Sequence, residues 1–167
     1  MTQVRRLVGG DAETWRTLRL EALRLYPHAF LSTHDEAAAI PLEDIATGLD
    51  RGQTYAVFED GAAVGMASLL PQHRTQTRHR GEVGGFYVRR AAQGQGAADQ
   101  LLGALIAAGQ AAGVWQLELH VAASNTRAIR FYTRHGFVEC GRIPNATLSA
   151  GGREADLLLI RSDPPGA

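Results

Sequence analysis

The 167-residue sequence contains no lysine, since all seventeen of its basic residues are arginine. A lysine-dependent phosphate loop, a pyridoxal Schiff base and a lysine nucleophile are therefore excluded. The single cysteine, Cys140, excludes an intrachain disulfide and a zinc site built from several cysteines. There is no surplus of charge either, because seventeen acidic residues balance the basic ones, and this disfavours a general nucleic-acid binder.

Long hydrophobic runs are missing as well. No stretch approaches the roughly 18 uncharged apolar residues of a membrane span, and the first six residues lack the apolar run of a secretory signal. Hydrophobic residues make up 45% and charged residues 20% of the chain, which is typical of a globular protein. We therefore expect one soluble, cytoplasmic domain over residues 1–167, with a frayed tail from about Ser162, that binds neither nucleic acid nor membrane.

Turn residues and the spacing of apolar side chains divide the rest of the sequence into strands and helices. The predicted strands are residues 4–8, 54–58, 62–70, 83–88, 115–121, 137–143 and 156–161. The predicted helices are residues 11–26, 33–49 in one or two pieces, 97–112 and 126–135. Antiparallel hairpins followed by a βαβ unit predict an α+β fold, with a mixed, mostly antiparallel central sheet flanked by helices on both faces.

The segment Gln93-Gly94-Gln95-Gly96-Ala97-Ala98 leads from a predicted strand into a predicted helix. The first amides of a helix have no partner within it, and the helix dipole makes that end partly positive. The two glycines lack a Cβ, so an anion can approach the backbone closely, and a phosphate or pyrophosphate is the natural ligand. A strand–helix turn without a ligand is the alternative.

A dinucleotide-binding fold is a second alternative for this turn. Glu118 lies about as far downstream as the acid that contacts a ribose in such folds. However, Asp99 stands where a third glycine is due, and the preceding run of hairpins does not suit a parallel sheet. The dinucleotide reading is therefore disfavoured.

Two motifs resemble those of the GNAT superfamily of acyl-CoA-dependent N-acyltransferases. Residues 93–98 match the cofactor loop of that family, Gln/Arg-x-x-Gly-x-Gly/Ala. Residues 125–137, Asn-Thr-Arg-Ala-Ile-Arg-Phe-Tyr-Thr-Arg-His-Gly-Phe, resemble its downstream segment Asn-x-x-Ala-x-x-x-Tyr-x-x-x-Gly-Phe. The resemblance spans nearly the whole chain. It implies a GNAT-like fold and transfer of an acetyl group from acetyl-CoA, by direct attack in a ternary complex, to a primary amine of a small molecule or a peptide N-terminus.

The resemblance also implies where acetyl-CoA binds. Backbone amides of the loop would hold its pyrophosphate, and the strand before the loop would pair its backbone with the pantetheine arm and polarise the thioester. The implied cofactor-binding residues are Phe86, Tyr87, Val88, Gln93, Gly94, Gln95, Gly96, Ala97, Ala98, Asn125 and Ala128. Asn125 would contact the pantetheine or cap its helix. Tyr132, on the same helix face, would protonate the departing thiolate, its alternative role being that of a core aromatic.

Two side chains are candidates for the base that takes the proton of the amine. Glu82 begins the strand before the loop, where some family members have a base glutamate, and strict alternation places it on the face of Gly84, Phe86 and Val88. His120 stands where other members have a glutamate, and imidazole changes its protonation near neutral pH. A solvated carboxylate and a hydrogen-bonded strand histidine are the alternatives, and the sequence does not separate the two candidates.

The acceptor site is expected around residues 26–30 and in the polar loop 71–81. Arg89 and Arg90 are expected near the pyrophosphate as surface charges. No metal site is expected, because the adjacent ligand types at residues 34–36 cannot converge on one ion. The rival function is a non-catalytic acyl-CoA-binding module that senses metabolites. The sequence leaves a homodimer open.

Overall fold

The computed structural model describes residues 1–149 and 151–166. Ala167, at the end of the tail whose fraying the sequence predicts, lies outside the described residues. The described strands are β1 (Thr2–Arg6), β2 (Gln53–Glu59), β3 (Ala62–Pro71), β4 (Arg80–Val88), β5 (Gln116–Ala122), β6 (Val138–Ser149) and β7 (Gly152–Ser162). The described α-helices are α1 (Ala12–Leu25), α2 (His34–Ala38), α3 (Leu42–Arg51), α4 (Ala97–Ala111) and α5 (Thr126–Arg134).

The strands form one sheet in the order β1-β2-β3-β4-β5-β7-β6. β4 and β5 pair in parallel, and every other neighbouring pair is antiparallel. The mixed, mostly antiparallel sheet that the sequence predicts is therefore confirmed. None of the helices in the described part of the chain has the length and hydrophobicity that crossing a bilayer requires.

Each face of the sheet carries its own hydrophobic core, so helices flank both faces as predicted. On one face, leucines of α4 and Tyr132 of α5 pack against β3, β4, β5 and β7. On the other face, Leu18 of α1 and Ile45 of α3 pack against Met66 and Tyr87. The sheet between them holds the backbone of β4 in a fixed position relative to α1, α4 and α5.

The parallel pairing of β4 with β5 ends after three residue pairs. Arg80, Gly81 and Glu82 pair with Gln116, Leu117 and Glu118, and no later residue of β4 pairs with β5. β5 continues instead along β7, while β4 continues along β3. A wedge-shaped opening therefore separates β4 from β5 beyond Glu82, and the backbone of β4 that faces this opening has no partner strand there.

β4 contains a bulge within the part that borders the wedge. Gly84 lies opposite Ser68 but Tyr87 lies opposite Met66, so β4 has one extra residue, and Gly85 adopts a φ of 60°. The prediction that Glu82 shares a face with Phe86 and Val88 is wrong for this reason. Val83 and Val88 both pack in the core on the α4 side, although strict alternation would place them on opposite faces.

The last hairpin is longer than predicted. The sequence predicts strands over 137–143 and 156–161, whereas β6 runs to Ser149 and β7 begins at Gly152. The added part has an irregular register between Ile143 and Thr147, and Asn145 has a φ of 53°. Such an irregularity, next to Pro144, interrupts the apolar–polar alternation from which a strand is predicted. The predicted loop 71–81 is also shorter in the structure, because Pro71 ends β3 and Arg80 begins β4.

Candidate active site

Two adjoining cavities open along the wedge between β4 and β5. The Glu82 cavity, of about 530 Å³, is lined by Glu82, His120 and Asp156 among others. The Gly94 cavity, of about 500 Å³, extends to the loop before α4. They share the lining residues Ala29, Phe30, Phe86, Asn125, Ala128 and Tyr132. A ligand can therefore reach continuously from the loop before α4 to the carboxylates of the Glu82 cavity.

The loop before α4 presents unpaired backbone amides to the Gly94 cavity. Gly94 and Gly96 have φ angles of 79° and 89°, and Gly96 is the N-cap of α4. None of the described residues accepts a hydrogen bond from the amides of residues 94–98. Successive amides of this kind at a helix N-terminus form a concave site for an anion. The unpaired amides fit the phosphate site that the sequence predicts for this loop. Of the predicted residues, Gly94 and Ala98 line the cavity, whereas Gln95, Gly96 and Ala97 do not.

The side chains of the same loop point back to the protein and brace it. Nε2 of Gln93 donates to the carbonyl of Val88 at 2.8 Å, and Nε2 of Gln95 donates to the carbonyl of Ala91 at 2.7 Å. These bonds tie the loop to the end of β4 and to the short turn between them. The glutamines therefore position the backbone amides of the loop, and Gln93 also lines the Gly94 cavity.

Helix α5 forms the opposite wall. Asn125 caps it, since its Oδ1 accepts a hydrogen bond of 3.1 Å from the amide of Ala128. Asn125, Ala128 and Tyr132 all line both cavities, so the helix face that the sequence predicts does border the wedge. The sequence suggests that Asn125 contacts the pantetheine or caps its helix, and the structure shows the capping role.

Arginines of α5 supply positive charge that sequence analysis missed. Arg127, Arg130 and Arg134 line the Gly94 cavity. Arg134 is bound to Asp99 at 2.8 Å, while Arg127 and Arg130 make no ion pair with the residues that the structure describes. Their spacing of three and four residues was visible in the sequence as one side of a helix. Only the fold shows that this side borders the anion-binding loop.

Arg89 has a different place from the one expected beside the pyrophosphate. It binds both carboxylate oxygens of Glu21, with Nη2–Oε2 at 2.8 Å, and donates to the carbonyl of Ala63 at 3.0 Å. Tyr87 donates its hydroxyl to the same Glu21 at 2.6 Å. Arg89 therefore joins β4 to α1, and neither it nor the exposed Arg90 lines the Glu82 cavity or the Gly94 cavity.

Tyr132 lies where the two cavities meet. Its ring packs edge-on against Phe86, Phe131 and Phe137, with centroid distances of 5.9, 5.2 and 5.5 Å, and the residue is only 7% exposed. Its hydroxyl makes no hydrogen bond with the described residues. It is also not one of the described polar atoms that are both fully buried and without a partner, so a ligand or solvent can reach it. Burial raises the pKa of this hydroxyl well above its ordinary value. Tyr132 therefore keeps its proton, and the residue borders both cavities.

The two base candidates lie together in the Glu82 cavity. Oε1 of Glu82 is 3.8 Å from Nδ1 of His120, and their side chains are 47% and 40% exposed. The two strands bring them together because Glu82 pairs with Glu118, two residues before His120. The structure places both candidates within reach of one ligand and does not separate them.

Asp156 is a third acid in this cavity, and sequence analysis missed it. It lies on β7 opposite Ala122, on the sheet face of His120. Burial raises the pKa of this carboxyl, Glu154 adds to the rise, and the charge of His120 opposes it. The only sequence signal was an acidic residue before the apolar run Leu157-Leu158-Leu159, and nothing local to it indicates a cavity. A partly buried carboxylate of this kind is suited to accept a proton.

Glu118 takes part in pairing rather than ligand binding. Its Oε2 accepts a hydrogen bond of 2.8 Å from Nη2 of Arg80, its Oε1 accepts another from Nε of the same residue, and Gln116 also donates to it. The arginine hydrogen bonds lower the pKa of Glu118. With this carboxylate engaged and the sheet mostly antiparallel, the dinucleotide-binding reading is wrong.

The two segments expected to form the acceptor site differ in their relation to the cavities. Residues 28–32, which overlap the predicted 26–30, line the Glu82 cavity, but no described residue of the loop 71–81 lines either cavity. The β6–β7 hairpin supplies Ile143, Ala146 and Thr147 in its place. Arg19 of α1 lines the cavity as well. Among the described residues, no three histidine, cysteine or carboxylate side chains come together as a metal site would require.

Comparisons with known proteins agree with this geometry. Residues 15–137 match the family model described as the acetyltransferase (GNAT) family. The structure is similar to that of a GNAT-family acetyltransferase from Streptococcus pneumoniae, with 21% identity, a TM-score of 0.87, and coverage of 98% of this chain and 100% of that chain. No curated protein sequence matches the chain.

Two further solved structures share the fold. A protein from Salmonella typhimurium, solved with its cofactor acetyl-CoA, is 18% identical, has a TM-score of 0.84 and matches over 100% of this chain and 97% of its own. A ribosomal-protein-alanine N-acetyltransferase from Brucella melitensis is 22% identical, has a TM-score of 0.82 and matches over 96% of this chain and 99% of its own. At these identities the likeness concerns the fold alone.

Proposed function

Because the chain belongs to the GNAT family of acetyltransferases, we propose that it moves an acetyl group from acetyl-CoA to the primary amine of a small molecule or of a peptide N-terminus. The observation that carries this proposal is the wedge, which joins the unpaired amides of residues 94–98 to the hydroxyl of Tyr132. One end suits a pyrophosphate, and the other suits a leaving group that needs a proton.

The residues along the wedge fit acetyl-CoA in two places. The amides of residues 94–98 suit its pyrophosphate, and Arg127 and Arg130 add positive charge nearby. The backbone of β4 at Phe86, which has no partner strand on this side, suits the amides of the pantetheine arm. Acetyl-CoA, when bound, supplies a thioester carbonyl that an amine can attack.

Proton movements follow from the side chains at the junction of the cavities. Glu82, His120 or Asp156 accepts the proton of the incoming amine, directly or through water. As the new carbon–nitrogen bond forms and the carbon–sulfur bond breaks, Tyr132 donates its proton to the departing thiolate. Its pKa, raised by burial, keeps the hydroxyl protonated until that step.

The acceptor itself is not decided by the similar structures. One neighbour is named as acting on a ribosomal-protein alanine, and another carries the name of a phosphinothricin N-acetyltransferase. The two neighbours are therefore named for different acceptors. For this chain we propose only that the acceptor carries a primary amine.

The test is thiol release from acetyl-CoA with a panel of primary amines, together with calorimetry of CoA binding. We expect amine-dependent release for at least one class of acceptor and stabilisation of the fold by CoA but not by NAD. CoA binding without amine-dependent release across the panel would contradict the enzyme and favour the sensing module. Absence of CoA binding would contradict the assignment of the wedge.

A further inference from the structure

We propose that the acceptor is a small amine that also carries a carboxylate or another oxyanion, as a free amino acid does, and that Arg19 binds this anion. The inference rests on the proposed acetyl transfer and narrows its acceptor from primary amines in general to zwitterions. It is carried by an arginine in the Glu82 cavity that the fold leaves without an acid partner.

Arg19 is a residue of α1, and its guanidinium reaches the bulge of β4. Its Cζ lies 4.9 Å from the ring centroid of Phe30, and its Nη2 lies 3.5 Å from Oγ of Ser32. Its Nη1 lies 3.7 Å from the point where a Cβ would stand on Gly85. These contacts fix the guanidinium beside the Glu82 cavity, which Arg19, Phe30, Ser32 and Gly85 all line. The cation is thus positioned before any ligand enters.

No acid among the described residues balances the charge of Arg19. Arg5, Arg80 and Arg89 each bind a carboxylate, whereas Arg19 forms no ion pair in the described part of the chain. Burial alone lowers its pKa, with no carboxylate to oppose that effect. Withdrawing a charge from water costs free energy unless an opposite charge compensates for it. A guanidinium is also a planar fork that matches a carboxylate with two parallel hydrogen bonds.

The acids of the cavity come from other elements than Arg19, Glu82 from β4 and Asp156 from β7. Glu82 and Asp156 line it together with His120, so the cavity presents a cation at one wall and carboxylates at another. Arg19 approaches β4 at Gly85, three residues along the chain from Glu82.

This separation of charges matches a zwitterion. The ammonium group of an amino acid would lie toward Glu82 and Asp156, where it loses its proton, and its carboxylate would lie toward Arg19. A peptide N-terminus carries no carboxylate next to its amine, so it would leave the charge of Arg19 uncompensated. The cavity therefore favours a free amino acid over a protein as acceptor.

The test compares matched acceptors: free α-amino acids, their carboxamides and the corresponding aminophosphonates, with thiol release from acetyl-CoA as readout. For the wild type we expect kcat/KM for the acid to exceed that for the carboxamide by roughly 30-fold or more. Arg19→Gln is expected to remove this preference by raising KM for the acid. The aminophosphonates distinguish a carboxylate site from a site for other oxyanions. Carboxamides that react as well as acids, or a preference that survives in Arg19→Gln, would overturn the proposal.

Two further variants separate anion binding from a structural role. Arg24→Gln changes an exposed arginine of the same helix that lines neither cavity, and it should keep the preference for acids. Arg19→Lys keeps the charge without the fork and should recover part of the preference. A preference lost in Arg24→Gln as well would overturn the assignment to Arg19.

Failure of the proposed acetyl transfer would have a different signature, since no amine, whether acid or carboxamide, would react. Even then, the role of Arg19 can be tested by calorimetry. The measured quantity is the affinity of the CoA-loaded protein for N-acetyl amino acids. Binding that is roughly 10-fold weaker in Arg19→Gln than in the wild type, or about 1.4 kcal/mol, supports it. Equal binding, or no binding to either protein, overturns it.

Discussion

Tyr132 combines a ring that is packed by three phenylalanines with a hydroxyl that has no partner among the described residues. Replacement by phenylalanine keeps the packing and removes only the proton donor. We therefore expect Tyr132→Phe to lower kcat about 100-fold while the affinity for CoA, measured by calorimetry, stays within error. Stability measured by thermal unfolding should change little, because no hydrogen bond of the described protein is lost.

Tyr55→Phe is the matched control, since Tyr55 packs against the core from β2 and lines neither cavity. It should leave kcat unchanged. A Tyr132→Phe enzyme with the kcat of the wild type would remove Tyr132 from the chemistry and leave it as a core aromatic.

The base is identified by the pH dependence of kcat/KM. Glu82→Gln, His120→Ala and Asp156→Asn each remove one of the three candidate acceptors of the amine proton. We expect the variant of the true base to lose the acidic limb of the profile, while the other two keep it. Because burial raises the pKa of Asp156, an enzyme that uses this residue would lose activity at a higher pH than an ordinary aspartate predicts. Three profiles that all keep the limb would mean that none of these residues is the base.

The loop before α4 binds an anion only while its glycines keep their backbone conformation. Gly96 has a φ of 89°, which costs an L-residue about 1 kcal/mol or more, although the space around it is open. We expect Gly96→Ala to disturb the row of free amides and to weaken CoA binding by roughly 10-fold in calorimetry. The thermal stability of the protein should fall with it.

Gly103→Ala, in the same helix, is the control for this change. Gly103 is exposed, has an ordinary φ, and a Cβ there meets nothing within 4 Å. Alanine is favoured over glycine in a helix by about 1 kcal/mol, so this variant should gain stability and keep its affinity for CoA. Wild-type affinity in Gly96→Ala would refute the anion site at this loop.

Elements whose signal is local were predictable from the sequence. The loop at residues 93–98 and the face of α5 with Asn125 and Tyr132 lie where the motifs indicate, because a helix repeats every 3.6 residues and its cap is next to it in the chain. The bulge at Gly85 was not predictable, since it arises from the register between β3 and β4. The same holds for the irregular part of the β6–β7 hairpin.

Side chains brought together from distant segments were the part of the site that the sequence did not reveal. Asp156 comes from β7 and Arg19 from α1, and neither belongs to a motif. Asp156 stands out because its carboxyl is partly buried, and Arg19 because no acid among the described residues pairs with its guanidinium. Both properties arise only from tertiary packing. The general base could not be assigned for the same reason, because Glu82 and His120 approach each other only through the pairing of β4 with β5.

The whole molecule is held together in part by arginine–carboxylate pairs that depend on pH. Hydrogen bonds from Arg89 and Tyr87 lower the pKa of Glu21, and those from Arg5 and Arg80 do the same for Asp11 and Glu118. A carboxylate with a lowered folded-state pKa stabilises the fold fully above its unfolded pKa, about 4. This stabilisation is lost as the pH falls through the lowered folded-state value. The free energy of unfolding should therefore decrease below about pH 4.

Glu21→Gln isolates one of these pairs. At pH 7 we expect it to lower the free energy of unfolding by about 2 kcal/mol, the typical value of hydrogen bonds to a charged group. The difference from the wild type should shrink as the pH falls below about 4, because the wild-type carboxyl then becomes neutral too. Glu139→Gln, on the exposed edge strand, should cost almost nothing in the same denaturation series. A difference between Glu21→Gln and the wild type that does not change with pH would contradict this account.

Three residue pairs join β4 to β5, whereas seven join β5 to β7. The two parts of the sheet, β1–β4 and β5–β7–β6, are thus joined only through Arg80–Glu82 of β4. A small rotation of one part about this connection would widen or narrow the opening between β4 and β5. The hydrogen bonds between Arg80 and Glu118 would hold the two strands together at the fixed end. A substrate that contacts both parts of the sheet would restrict this rotation. It would therefore slow the exchange of amide hydrogens in β4 and β5 beyond their paired residues.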